Sequence, residues 1–254
     1  MTRNLMLTAL LLLSGSIAAA QPKVIAHRGY WTTDGSAQNS LAAFDKADSI
    51  GVYGSEIDVW LTADKRLIVN HDRIYQGTQI DMESDRARLI TQIVLPNGER
   101  IPTLKAYLKR VASKPDTRLI LEMKSLSDLR REDLAARKIV RTLRRHRLVE
   151  RTDLIAFSIN ACLAFRKLLP EARIYYLNGD LPPRSIRELG LSGIDYSSGD
   201  LRRHPEWIEQ AHELGLEVNV WTVDSEEEMN YFIERGVDYI TTNYPERLQA
   251  LLKR

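Results

Sequence analysis

The chain has 254 residues, of which 44% are hydrophobic and 28% charged, and its formal net charge is +2. That supplies a sizeable apolar core, and so even a balance argues against nucleic acid or an acidic membrane surface as partner. The one cysteine, Cys162, excludes an internal disulfide. Its neighbourhood, Ser158-Ile159-Asn160-Ala161-Cys162-Leu163, makes it a small buried apolar residue at the start of a helix.

The first twenty residues have the pattern of a removable export signal. Arg3 is followed by an apolar run at 5–13 and then by Ala18-Ala19-Ala20 before Gln21. The run falls short of the roughly 20 apolar residues that span a bilayer. Residues 1–20 are therefore expected to be cleaved and residues 21–254 to form one domain. The mature protein is expected to be periplasmic or secreted, without stable membrane insertion.

From there, short apolar runs alternate with helical stretches. Strands are predicted at 24–26, 54–59, 67–69, 119–121, 154–157, 173–177, 193–196, 217–223 and 238–241. Ser40 is placed to cap a helix over 41–50 that Gly51 stops, and Thr103 to cap one over 104–111. Pro205 opens a helix that Gly215 ends. Ser225 and Glu228 form a capping box, and Gly236 closes that segment. Such alternation predicts a parallel α/β sheet, and the length suits a single (β/α)8 TIM barrel. Nine candidates compete for eight places, so one lies outside the barrel. The connection from 58 to 67 is too short for a helical crossover, which makes the link between the second and third strands irregular. Residues 73–101 show no clear pattern and are expected to form an elaborated loop over one barrel end.

Polar residues interrupt the apolar strands at particular places. Residues 24–26 run into His27-Arg28-Gly29, residues 67–69 into Asn70-His71-Asp72, and residues 119–121 into Glu122-Met123-Lys124. Glu56 and Asp58 lie inside a strand. In a (β/α)8 barrel, groups at the C-terminal strand ends share one catalytic rim. Glu56 and Asp58, two apart on a strand, point the same way. Like charges so placed call for a counter-charge. An all-oxygen set completed by Glu122 favours Mg2+ or Ca2+, the alternative being ion pairing with Arg28 or Lys124 and no metal. His27 and His71 form the natural acid–base pair, titrating near neutral pH. Arg28 and Lys124 suit an anion. Together these groups suit hydrolysis of a phosphate ester.

These residues also carry a resemblance. His27-Arg28-Gly29, Asn39-Ser40-Leu41-Ala42-Ala43-Phe44 and Gly54-Ser55-Glu56-Ile57-Asp58-Val59 resemble the glycerophosphodiester phosphodiesterase family. Val69-Asn70-His71-Asp72, Leu121-Glu122-Met123-Lys124, Val220-Trp221-Thr222-Val223 and the closing segment from Gly236 to Pro245 extend the match along nearly the whole mature chain. The resemblance implies a TIM barrel that hydrolyses small-molecule glycerophosphodiesters to glycerol 3-phosphate and an alcohol. It implies His27 and His71 as acid and base, and Glu56, Asp58 and Glu122 as ligands of one divalent cation. It places Arg28 and Lys124 on the phosphate and Trp221 near the substrate.

Two positions depart from the family pattern: Gln38 stands where a Glu is usual, and Asn243 where an Asp is frequent. Two rival functions remain in view. One is a phospholipase D-type activity on lysophospholipid or sphingolipid head groups, which needs an apolar groove by the site. The other is a non-catalytic barrel that binds a phosphorylated ligand. Arg141, Arg144, Arg145 and Arg147 alternate with apolar residues at helical spacing and are expected to be the solvated face of an outer helix. Tyr175, Tyr176 and Tyr196 are expected to pack the barrel, and Tyr75 and Tyr107 are candidates to line a cleft.

Overall fold

The computed structural model describes residues 21–254. The expected export signal lies outside the described residues. Among the described residues there are nine strands: β1 (Lys23–Ala26), β2 (Gly54–Leu61), β3 (Leu67–Val69), β4 (Arg118–Met123), β5 (Thr152–Ala156), β6 (Ile174–Tyr176), β7 (Gly193–Ser197), β8 (Glu217–Trp221) and β9 (Tyr239–Thr242). Eight of them run parallel and close on themselves, because β1 pairs with both β9 and β2. The predicted (β/α)8 barrel is therefore the architecture, with β3 as the extra strand outside it, antiparallel to β2.

The described residues also form ten α-helices, in order α1 (Leu41–Ser49), α2 (Ala87–Ile90), α3 (Leu104–Ala112), α4 (Leu129–His146), α5 (Ile159–Leu168), α6 (Pro183–Glu188), α7 (Ser198–Arg203), α8 (Glu206–Glu213), α9 (Glu226–Glu234) and α10 (Pro245–Leu252). The foreseen caps are in place. The hydroxyls of Ser40, Thr103 and Ser225 accept the N–H groups of Ala43, Ala106 and Glu228. Arg141, Arg144 and Arg145 are exposed on α4, whose other face buries Ile139, Val140 and Leu143 in the main core. Cys162 is buried in α5, and burial pushes its thiol up to about 12.

Alternation along the strands separates two environments. Outward residues such as Ile57, Val59, Leu119, Leu121, Ile194 and Val218 meet the helices in one large apolar core. Inward residues fill the barrel in layers. At the N-terminal end Arg118 pairs with Asp153 at 2.6 Å, and Arg173 pairs with Glu217 at 2.5 Å. Above them Ile25, Ile120, Ile155, Tyr175 and Tyr239 form a small apolar plug. The next inward positions are His27, Glu56, Asp58 and Glu122. The site is thus the upper layer of a packed interior.

Residues 73–101 form an elaborated loop with a core of its own. Met82, Ile90, Ile93, Leu95 and Ile101 pack with Trp60 and Ile68 into a satellite core. Glu83 anchors the segment to the helical layer through Arg131 at 2.8 Å and the Ser127 hydroxyl at 2.7 Å. Glu99 accepts the first N–H groups of α1, from Leu41 and Ala42, at 2.9 and 3.0 Å. Tyr107 lies fully buried against Phe44 in the main core, which removes it as a candidate to line a cleft.

Candidate active site

A cavity of 240 Å³ opens at the C-terminal end of the barrel, lined by His27, Arg28, Glu56, His71, Glu122, Lys124 and Trp221, among others. Asp58 is buried beside it, 1% exposed. Barrel strands deliver all of these but one. His71 was expected to follow a strand of the barrel, and that is corrected. β2 overshoots the rim, turns at 62–66, and β3 brings the chain back down alongside it. Val59 pairs with Val69, and the N–H of Asn70 donates to the carbonyl of Asp58 at 3.0 Å. The short connection is therefore a hairpin whose return leg lowers His71 to the level of the carboxylates.

Gly29 sets the first catalytic loop. Its φ is +78°, and a Cβ there would sit 2.6 Å from the Cβ of Ala43 in α1. Positive φ strain and overpacking add for alanine, so Gly29→Ala is expected to cost roughly 2–4 kcal/mol. In thermal unfolding, that should lower the Tm by roughly 5–15 °C.

Oxygens of Glu56, Asp58 and Glu122 lie within 4.8 Å of one another, all buried. Parallel register sets Asp58 beside Glu122 on the neighbouring strand. Burial, with Asp58 and Glu122 close by, pushes the Glu56 carboxyl well up. Burial and the Asp58 charge push Glu122 up as well. Burial would raise Asp58 too, but Lys124, His71, Arg28 and the Asn39 amide together hold it well below the usual carboxylate range. The contacts agree: Asp58 accepts from Asn39 Nδ2 at 2.8 Å and Lys124 Nζ at 3.2 Å, and Arg28 Nε is 3.9 Å away. Lys124 also reaches Glu122 at 2.8 Å. One oxygen of Glu56 accepts the backbone N–H of Arg28 at 2.7 Å, while its Oε1 is buried with no partner. Both sequence-level alternatives are therefore present in part. The cations neutralise Asp58, and an orphaned oxygen in a crowded all-carboxylate cluster still fits a hard divalent cation.

The two histidines are held differently. Asn243 Nδ2 donates to Asp224 at 2.7 Å, and Asn243 Oδ1 accepts the indole N–H of Trp31 at 3.0 Å. A carboxylate only accepts, which orients the amide. Oδ1 therefore faces His27 Nδ1, 2.9 Å away. His27 must then carry its proton on Nδ1 and keep the lone pair on Nε2. Burial and the Arg28 charge lower this imidazole to about 4, so it is neutral at physiological pH. His71 Nδ1 meets the Asp72 carboxylate at 2.7 Å. Burial also lowers this ring, against the pull of Asp58. Asn243→Leu removes the acceptor and is expected to lower turnover roughly 10- to 100-fold, as loss of an imidazole-orienting partner does at other sites. Asn243→Asp retains it. Nitrogen NMR of His27 would report the released tautomer.

Residues 27–247 match the glycerophosphoryl diester phosphodiesterase family. The chain belongs to that family. A crystal structure of a glycerophosphodiester phosphodiesterase from Parabacteroides distasonis is 45% identical, covering 92% of this chain and 97% of that one with a TM-score of 0.89. A glycerophosphodiester phosphodiesterase from Caldanaerobacter subterraneus is 28% identical over 91% of this chain and 98% of its own length. Membership makes this chain a phosphodiester hydrolase of the glycerophosphodiester class.

The two departures from the family pattern have structural places. Gln38 Oε1 accepts from Arg28 Nη1 at 2.7 Å, so the amide orients a cation of the site. Asn243 orients His27, as above. Several residues at the site escaped the sequence. Asn39 grips Asp58 through both its amide group and the Asp58 backbone N–H. Trp31 and Asp224 converge on Asn243 from opposite ends of the chain. Asp195 lines the cavity with a buried, unpartnered Oδ1, and burial raises it to about 7. An Asp inside the apolar run Gly193-Ile194-Asp195-Tyr196 was the signal for it. Trp221 donates its indole N–H to the Asp195 carbonyl at 2.8 Å and packs edge-on against Phe157.

Proposed function

We propose that this enzyme hydrolyses glycerophosphodiesters to glycerol 3-phosphate and an alcohol, with His27 as base, His71 as acid and Glu56, Asp58 and Glu122 holding one divalent cation. The observation that supports it is a single cavity lined by both histidines, two of those carboxylates, Arg28 and Lys124. Arg28 and Lys124 bind the phosphate oxygens and stabilise the charge that grows on them. His27 Nε2, neutral and with its lone pair free of the Asn243 contact, takes a proton from the attacking water, whose oxygen stays on the phosphorus of glycerol 3-phosphate. A new phosphorus–oxygen bond forms as the bond to the alcohol breaks. His71, paired with the Asp72 carboxylate, gives its proton to the departing alcohol oxygen. Glu56, Asp58 and Glu122 would hold a divalent cation, Mg2+ or Ca2+ by their all-oxygen donor set, which would supply further positive charge to the site.

The test is release of glycerol 3-phosphate from a panel of glycerophosphodiesters, first with chelator and then with Mg2+ or Ca2+ restored. Release that needs the cation supports the proposal; release undiminished by exhaustive chelation sinks the metal part of it. The cation should also stabilise the fold. At about 100 times its Kd it contributes roughly 2.7 kcal/mol, a Tm rise of roughly 5–10 °C. In metal-free protein Glu56→Gln should raise the Tm, because it relieves the crowding with Asp58 and Glu122. The same variant should abolish most of the metal-induced rise. We further propose that residues 1–20 export the enzyme, so the mature protein should begin at Gln21 when its N-terminus is sequenced.

A further inference from the structure

The net charge of +2 conceals a strong asymmetry across the barrel. Helix α4 carries seven Lys and Arg residues against two acids. Helices α8 and α9 carry seven Glu and no Lys or Arg. α4 links β4 to β5, and α9 links β8 to β9, four strands further round the closed sheet, so the basic and acidic helices stand on opposite flanks. On the basic flank a cavity of 390 Å³ opens between the tip of the β2–β3 hairpin, the start of α3 and the C-terminal half of α4. Its lining includes Lys65, Arg66, Lys105, Lys138, Arg141 and Arg145 and, among the described residues, no carboxylate. It shares no lining residue with the catalytic cavity.

Cations that converge without a counter-charge repel one another and favour an anion between them. Arginine grips phosphate oxygens bidentately and lysine acts as a point charge, so phosphate groups suit this cleft. The basic surface continues beyond it. Asp64 Oδ1 accepts the Ala87 N–H at 2.9 Å, which holds α2 against the hairpin tip. There the chain adds Arg86 and Arg88, both exposed, together with Leu89, 48% exposed. A leucine among arginines fits the boundary between lipid head groups and acyl chains, whereas a nucleic acid backbone offers it nothing. The acidic flank of a second copy is another source of negative charge. Joining opposite flanks, however, repeats head to tail and builds an open chain rather than a closed oligomer. The acidic helices also turn the far side of the barrel away from a negative surface, which sets the orientation.

We propose that the α3–α4 flank docks the mature enzyme peripherally on a membrane surface rich in anionic phospholipid. The even total charge made such a partner unexpected; the uneven distribution of that charge is what the surface attracts. A glycerophosphodiester is a phospholipid stripped of its acyl chains, so docking keeps the enzyme where substrates of its family's reaction are released.

The experiment sediments the whole mature enzyme with vesicles of phosphatidylcholine, either alone or with about one-third phosphatidylglycerol. At about 0.1 M salt, wild type should partition onto the anionic vesicles roughly 100-fold more strongly, and the preference should collapse by about 0.5 M. Arg141→Gln combined with Arg145→Gln should weaken that partition roughly 10- to 30-fold. Arg141→Lys combined with Arg145→Lys should retain most of it, because charge carries the attraction. Arg184→Gln combined with Arg187→Gln removes the same charge from α6, on another flank, and should change partition by less than about twofold. Unchanged circular dichroism shows that the variants fold. A wild type that does not prefer anionic vesicles overturns the proposal. So does an equal loss in the α6 variant, which assigns the binding to net charge alone. A DNA duplex that strips the enzyme from the vesicles at equal phosphate concentration overturns it in favour of nucleic acid. Salt-sensitive self-association without vesicle binding overturns it in favour of a second copy.

Discussion

His27→Ala is expected to lower kcat by roughly 10²–10⁴ on every diester, including an activated aryl ester such as a 4-nitrophenyl phosphodiester. A base acts on the nucleophile, so its loss is felt whatever the leaving group. The imidazole is well suited to that task. Asn243 is oriented by Asp224 and Trp31, so Nδ1 holds the proton and Nε2 keeps its lone pair. Burial and Arg28 keep the ring neutral at physiological pH. The variant leaves the aliphatic core intact, so circular dichroism and the Tm should stay close to wild type. A His27→Ala enzyme that keeps full turnover on the aryl ester but loses turnover on alkyl diesters would exchange the roles of the two histidines.

His71→Ala is expected to give the complementary pattern. On an alkyl diester such as glycerophosphocholine, kcat should again fall by roughly 10²–10⁴, because the departing alkoxide needs a proton. On the 4-nitrophenyl ester, whose leaving group departs unaided, the loss should be less than about tenfold. Asp72 at 2.7 Å from Nδ1 stabilises the protonated ring, as an acid at this position requires. Equal losses on both esters would show that His71 does more than protonate the leaving group. The pair of variants read on the pair of esters therefore separates acid from base, which neither residue's position along the chain could do.

Much of this site was legible before any coordinates. His27, Arg28, Glu56, Glu122 and Lys124 stood out because each interrupts or directly follows an apolar strand, and strand periodicity pointed Glu56 and Asp58 the same way. Asn39, Asp224 and Trp31 did not stand out. They lie in loops, where polar residues are ordinary, and their importance comes from partners 19 to 212 positions away. Residues 73–101 were opaque for a related reason. Their apolar residues follow neither the strand nor the helix period, because they pack irregularly around Trp60 and Ile68.

The sequence by itself determined the barrel, the cap residues that start several of its helices and the set of charged groups on its rim, since periodicity and capping are local properties written in consecutive residues. Only the tertiary structure decided that β3 folds back to carry His71 to the rim and that Asn243 sets the His27 tautomer. Those features depend on pairing between strands and on contacts between distant loops, and such contacts exist only once the barrel has closed.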